Sequence, residues 1–174
     1  MNGARPSPMR NVEKRIARNI GSGGLHKLNI HYVRSEATGL KSLSSEEAAY
    51  LAGLVDGDGC VTITYGIDRY YQPTVQISLT NYFTIKSLCD LYGGSYSCPS
   101  RIPPRRAVYV WCWNYEMMKC YLPKILSFMF VKTEQTEILL DCLCTHQKWK
   151  NQDKLFFQTM YRRIRKLNQK GGGQ

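Results

Sequence analysis

The chain has 174 residues, 43% of them apolar, and carries a formal net charge of +11 with a pI near 9.4. That length suffices for one domain with its own core rather than two, and the apolar content argues against wholesale disorder. Apolar runs fall far short of the ~20 residues of a membrane span, and no segment is laid out as a secretory signal, so a soluble intracellular protein is expected, whether of cytoplasm, nucleoid or organelle.

A positive field of this size favours polyanions. Nucleic acid is the expected partner and a membrane is not, because the basic residues are spread over both ends and a central loop rather than along one amphipathic helix. The seven cysteines are odd in number and form no CxxC pair, and His26, His31 and His146 are too scattered to complete a zinc site with them. Free thiols in a reducing compartment are expected.

Residues 1–42 read as a flexible basic arm, rich in Pro, Gly and Ser, with Arg5, Arg10, Lys14, Arg15 and Arg18. Asn11 to Ile20 has the makings of a short basic helix, and Gly21 to Gly24 lacks the GK[ST] ending of a phosphate loop, so it reads as a hinge. The core is placed at 43–148. Helix signals begin at Ser44 or Ser45, with an N-cap serine and acids in the first turn, and continue to about Asp56. "CVTIT" and "TVQISLT" then alternate strictly, which predicts two half-buried antiparallel strands joined by the loop Gly66 to Pro73. Tyr82 to Tyr92 is a predicted helix stopped by Gly93-Gly94. "SYSCPSR" and "AVYVWCWN" form a second predicted hairpin. Helices follow over Glu116 to Met129, interrupted at Pro123, and over Thr133 to Lys148. A basic helix over Asp153 to Asn168 falls in the last segment, 149–174, which ends in a Gly-rich tail. The order is α+β, with four strands in one sheet.

Within the first helix, Ala49, Gly53 and Gly57 recur at i, i+4 and i+8. A stripe of minimal side chains lets two helices approach closely, although alone it also fits ordinary packing against a large side chain. Asp56 and Asp58 follow at the helix C-terminus, where free carbonyls already carry partial negative charge. Acids are unfavourable there unless a cation is bound, and a divalent ion with hard oxygen ligands suits magnesium. A tight Asp-Gly turn is the competing explanation. A calcium loop is excluded, since counting from Asp56 puts Cys60 at the fifth position and Ile67 at the twelfth.

Leu51 to Gly59 reads LAGLVDGDG, and with the run-in Glu47-Ala48-Ala49-Tyr50 it resembles the signature of the LAGLIDADG homing endonucleases. The likeness extends through the helix–hairpin–helix–hairpin order to about residue 145. It implies an αββαββα core with a four-stranded antiparallel curved sheet. One motif per chain further implies a homodimer through the motif helix, with Ala49, Gly53, Leu54 and Gly57 at the contact. Asp58 and the carbonyl of Gly57 would hold Mg2+, and Asp56 is left a capping or structural role. Asn81 corresponds to a residue that orders water, with a helix N-cap as its competing role. Lys132 corresponds to a basic residue near the scissile phosphate, with a solvated lysine at a helix start as its alternative.

The polar faces of the first two strands, Thr62, Thr64, Thr74, Gln76, Ser78 and Thr80, suit reading of base edges in a major groove. Arg69, Gln72, Arg101, Arg105 and Arg106 are expected at loop tips against phosphates and guanines. If Val108, Val110 and Cys112 face the core, Tyr109, Trp111 and Trp113 face the DNA, Trp111 foremost, with packing against the arm or helices as their alternative. The third strand has no clear parity. The resemblance implies double-strand cleavage of a long pseudo-palindromic duplex with short 3′ overhangs, encoded within an intron or intein. A maturase binding its host intron RNA, with or without cleavage, is the alternative, and a DNA-binding regulator without catalysis a further one.

Overall fold

The computed structural model describes residues 40–66, 70–97, 107–145 and 153–170, together with the backbone of Tyr32–Arg34. Helix α1 (Ser45–Asp58) starts at a capping box: Ser44 Oγ accepts from Glu47 N at 3.3 Å, and Glu47 Oε2 accepts from Ser44 N at 3.1 Å. Ala48, Leu51, Ala52 and Val55, at i, i+3, i+4 and i+7, are buried. Strands β2 (Gly59–Tyr65) and β3 (Tyr71–Leu79) pair antiparallel, with Val61 opposite Val75 and Thr62 opposite Thr74. The loop expected up to Pro73 is therefore shorter, and Pro73 lies within β3, opposite Ile63.

Helix α2 (Tyr82–Tyr92) stops at Gly93 and Gly94, whose φ values of 93° and 85° favour glycine. A Cβ on Gly94 would also come within 2.6 Å of the Cys112 carbonyl oxygen. Strands β4 (Ser95–Ser97) and β5 (Tyr109–Cys112) come next, then α3 (Tyr115–Ile125), a 3-10 turn at Leu126–Phe128, α4 (Thr133–Cys144) and α5 (Lys154–Lys170). None of the described helices is long and apolar enough to cross a membrane.

The result is an α+β fold with the expected four-stranded antiparallel curved sheet. A short fifth strand, β1 (Tyr32–Arg34), extends it, giving the order β1-β4-β5-β3-β2. These three residues come from the stretch assigned to the arm. Helix α5 also joins the body: Phe157 and Ile164 are buried in the main core, and Asn168 Nδ2 donates to the Val61 carbonyl of edge strand β2 at 3.2 Å.

The expected facing of β5 is reversed. Trp111 is fully buried and Trp113 nearly so, while Tyr109 is half-buried against the core and Val108, Val110 and Cys112 keep part of their surface. The register explains this: directly paired residues share a face, Ile77 pairs with Trp111, and Leu79 with Tyr109. Trp111 Nε1 donates to the Gly93 carbonyl at 2.9 Å, and its ring packs edge-on to Trp113, centroids 5.7 Å apart. Among the described residues the buried Trp113 Nε1 group has no acceptor. That orphan costs roughly 1–3 kcal/mol, whereas burying ~200 Å² of indole returns about 5 kcal/mol, so burial wins.

Candidate functional site

The two carboxylates at the end of α1 have different surroundings. Asp56 accepts three backbone hydrogen bonds from the loop before α4: Phe130 N at 2.7 Å and Val131 N at 3.2 Å on Oδ2, and Lys132 N at 2.9 Å on Oδ1. Partial burial pushes its carboxyl upward, but those three N–H donors and the charge of Lys132 outweigh it and hold Asp56 below the ordinary carboxylate range. Asp58 is exposed and, among the described residues, has no hydrogen-bond or ion-pair partner.

Lys132 is neither a free surface lysine nor aimed at the Asp58 carboxylate. Its Nζ donates to the Val55 carbonyl at 2.9 Å and to that of Asp56. A cation on the last carbonyls of a helix offsets the negative end of its dipole. Three residues of the 129–132 loop, Phe130, Val131 and Lys132, therefore bind this end of α1 without engaging the Asp58 carboxylate. Lys132 also acts on Cys60, the second residue of β2: burial pushes the Cys60 thiol up and the nearby ammonium partly offsets the rise.

Asn81 caps α2, its Oδ1 accepting from Thr84 N at 3.1 Å. Its carbonyl is thus engaged and its amide group is exposed. Counting from the Gly59–Ile77 pair, Asn81 lies four residues past Ile77, or ~13 Å along an extended chain. Among the described residues no hydrogen bond joins it to Asp58.

The open face of α1 is the stripe Ala49, Gly53 and Gly57, with Leu54 half-buried beside it. A Cβ built on Gly53 or Gly57 meets nothing within 4 Å. Within the described chain these glycines are not explained by packing against a large side chain. Large exposed apolar residues flank the stripe: Tyr50 at 51%, Phe83 at 73%, Leu91 at 57%, Phe130 at 90% and Val131 at 70%. Tyr50, Phe83 and Leu91 line a shared groove of about 350 Å³ between α1 and α2.

The polar sheet face is assembled by register. Thr62 lies opposite Thr74, Thr64 opposite Gln72, Gln76 between Cys60 and Cys112, and Ser78 opposite Val110. Thr64, Gln72, Ser78 and Thr80 are exposed, and Thr62, Thr74 and Gln76 are half-buried. Thr64 Oγ1 lies 3.3 Å from both Thr74 Oγ1 and the Gln72 carbonyl, so neighbouring hydroxyls pre-set one another. Tyr109, Trp111 and Trp113 do not belong to this face; Cys60, Val110 and Cys112 do, and alternation of β2 already placed Cys60 there. Arg69, Arg101, Arg105 and Arg106 lie outside the described residues, as does residues 1–31 of the arm.

Among the described residues no three His, Cys, Asp or Glu side chains converge into a metal cluster. One chain offers, at the end of α1, a single unengaged acid.

No protein-family model matches the sequence, and no curated protein matches it. Solved structures do. The homing endonuclease I-CvuI, in complex with the I-CreI target in the presence of 2 mM Mg with the DNA not cleaved, is 21% identical with a TM-score of 0.53, over 70% of this chain and 82% of that one. The chain has the homing-endonuclease fold. The same enzyme bound to its own target (Sro1.3) with 2 mM Ca gives a TM-score of 0.54 at 21% identity, over 71% and 82%. The archaeal intron-encoded homing endonuclease I-Vdi141I, complexed with DNA, gives 0.53 at 15% identity, over 70% and 84%. Identities this low establish a shared architecture and leave the chemistry to the residues.

Proposed function

We propose that this chain is a site-specific LAGLIDADG homing endonuclease that works as a homodimer and cleaves duplex DNA with a divalent metal. The observation that carries the proposal is the division of labour at the end of α1. Asp56 is fully committed to the loop before α4, while Asp58, two residues on, is exposed and unpartnered beside an open glycine stripe.

Closing two such stripes on one another brings two Asp58 carboxylates together at a two-fold axis. Their mutual repulsion is relieved by a hard divalent cation, and carboxylate with carbonyl oxygen is the donor set such a cation takes. Asp58 and the Gly57 carbonyl of each chain would hold it; when bound it supplies Lewis-acid stabilisation and acidifies water at the scissile phosphate. Lys132 keeps the helix end neutral, so the α1 carbonyls do not add to the repulsion. The exposed amide of Asn81 is available to orient solvent. The polar face of β2 and β3 is suited to hydrogen bonding in the major groove. The DNA complexes of the structural neighbours support the choice of duplex DNA.

The test is incubation with duplex DNA spanning the uninterrupted host locus, with and without magnesium, for wild type and Asp58→Asn. Wild type should cut only with metal, and the variant should bind without cutting. Cleavage by both proteins, or by neither, defeats the proposal. A protein that cuts nothing yet accelerates splicing of its host transcript is instead the maturase.

A further inference from the structure

The C-terminal helix α5 has no part in the site described so far, yet it carries the densest positive charge among the described residues. Arg162, Arg165, Lys166 and Gln169 recur at i, i+3, i+4 and i+7 and are all exposed. Contacts around the helix fix where this row points. Arg163 pairs with Glu134 of α4 at 3.2 Å, which marks the side towards the helical layer. Phe157 and Ile164 mark the core, and Asn168, through the Val61 carbonyl, marks the free edge of β2. At 100° per residue, Arg165, Gln169 and Arg162 come next in rotation, on the far side of Asn168 from α4. The row therefore projects past the open edge of the sheet, beside the strand that carries Thr62 and Thr64.

The two arginines are also free to take an anion. Arg162 and Arg165 have no carboxylate partner among the described residues, where the only ion pairs are Lys41–Glu47, Lys86–Asp90 and Arg163–Glu134. Arg165 is held by an aromatic ladder: its guanidinium lies 5.6 Å from the Tyr161 ring and 3.3 Å from the Tyr161 hydroxyl, and that ring packs on Tyr71 at 5.5 Å. A guanidinium ordered in advance loses less entropy on binding phosphate.

We infer that α5 is a phosphate clamp: Arg162 and Arg165, seconded by Lys166, engage the backbone of duplex DNA where it passes over the β2 edge. This deepens the endonuclease assignment and depends on it. Contacts of this kind fix register on the duplex and carry no sequence information.

The experiment measures binding of random-sequence duplex DNA, without metal, across a salt series. Each neutralised phosphate contributes about 0.9 to the slope of log K against log salt, so R162Q/R165Q should flatten the wild-type slope by about 1.8. Binding should weaken at low salt and converge on wild type at high salt. R162K/R165K should keep the slope. The charge-matched K119Q/K124Q, on α3 in the helical layer, should leave it unchanged. R162Q alone, which removes no described contact, should flatten it by about 0.9 and covers the case in which the double variant unfolds. An unchanged slope in R162Q, an equal loss in K119Q/K124Q, or tighter binding of duplex RNA than of DNA overturns the clamp while leaving the endonuclease assignment intact. A wild type that retains no duplex DNA overturns both.

Discussion

Replacing Gly53 by alanine adds one methyl group to a surface where nothing stands within 4 Å. In the isolated chain the substitution should stabilise, since glycine within a helix costs about 1 kcal/mol relative to alanine. In the proposed dimer each chain contributes its own methyl to a contact built on backbone approach. Overpacking costs roughly 1–3 kcal/mol per site, so two sites cost about 2–6 kcal/mol, a weakening of the dimer by about 30-fold or more. The helix-propensity gain cancels from the association constant, because α1 is helical in both states. Sedimentation velocity over a concentration series reads the first effect. Urea unfolding, at concentrations where both proteins are monomeric, reads the second. A variant that dimerises as tightly as wild type, or one that is less stable as a monomer, refutes the assignment of the open stripe to a second copy. So does a wild type that stays monomeric throughout.

Trp111→Ala should lower unfolding free energy by about 3–5 kcal/mol in chemical denaturation; a stable variant with impaired DNA binding would return the β5 aromatics to the interface. Asp56→Asn should cost about 2 kcal/mol at neutral pH through its weakened backbone bonds. Because the folded Asp56 carboxyl lies below its ordinary range, its stabilisation is present above the unfolded value of about 3.9 and is lost as pH falls through the folded value. The wild type should therefore lose stability in acid more steeply than Asp56→Asn, and parallel acid profiles would count against the clamp on Phe130–Lys132. Lys132→Met should destabilise by about 1–2 kcal/mol through the uncapped carbonyls. It should also push the Cys60 thiol further up, so that Cys60 reacts more slowly with a thiol reagent near pH 8; an unchanged rate contradicts the proximity of the two groups.

What could be read directly was local. The N-cap serine at the start of α1, the alternation along β2 and β3, and the Gly93-Gly94 stop each depend on neighbours within a few residues. The facing of β5 was not local. Both of its sides are apolar, so periodicity could not choose between them, and the choice is made by pairing with Ile77, thirty-odd positions earlier. Strand β1 was hidden for a related reason: three residues are too few for alternation to register, and they sit in a basic, Gly- and Ser-rich context. The edge packing of α5 likewise rests on Tyr71 and Val61, far away in the chain, while its own sequence marks only a basic helix.

The roles of Asp56 and Asp58 turn on the same distinction, with a consequence for the site. As sequence, DGDG offers two nearly equivalent acids on one helix end, and geometry separates them by recruiting the chain 74 residues onward. The bonds that occupy Asp56 also fix the loop that leaves Phe130 and Val131 exposed at the same helix end as the open stripe. A helix apolar on every side is normally buried on every side. Helix α1 buries only the face with Leu51, Ala52 and Val55, and leaves the glycine face bare. One carboxylate thus anchors the scaffold and leaves the other unengaged beside the exposed glycine face.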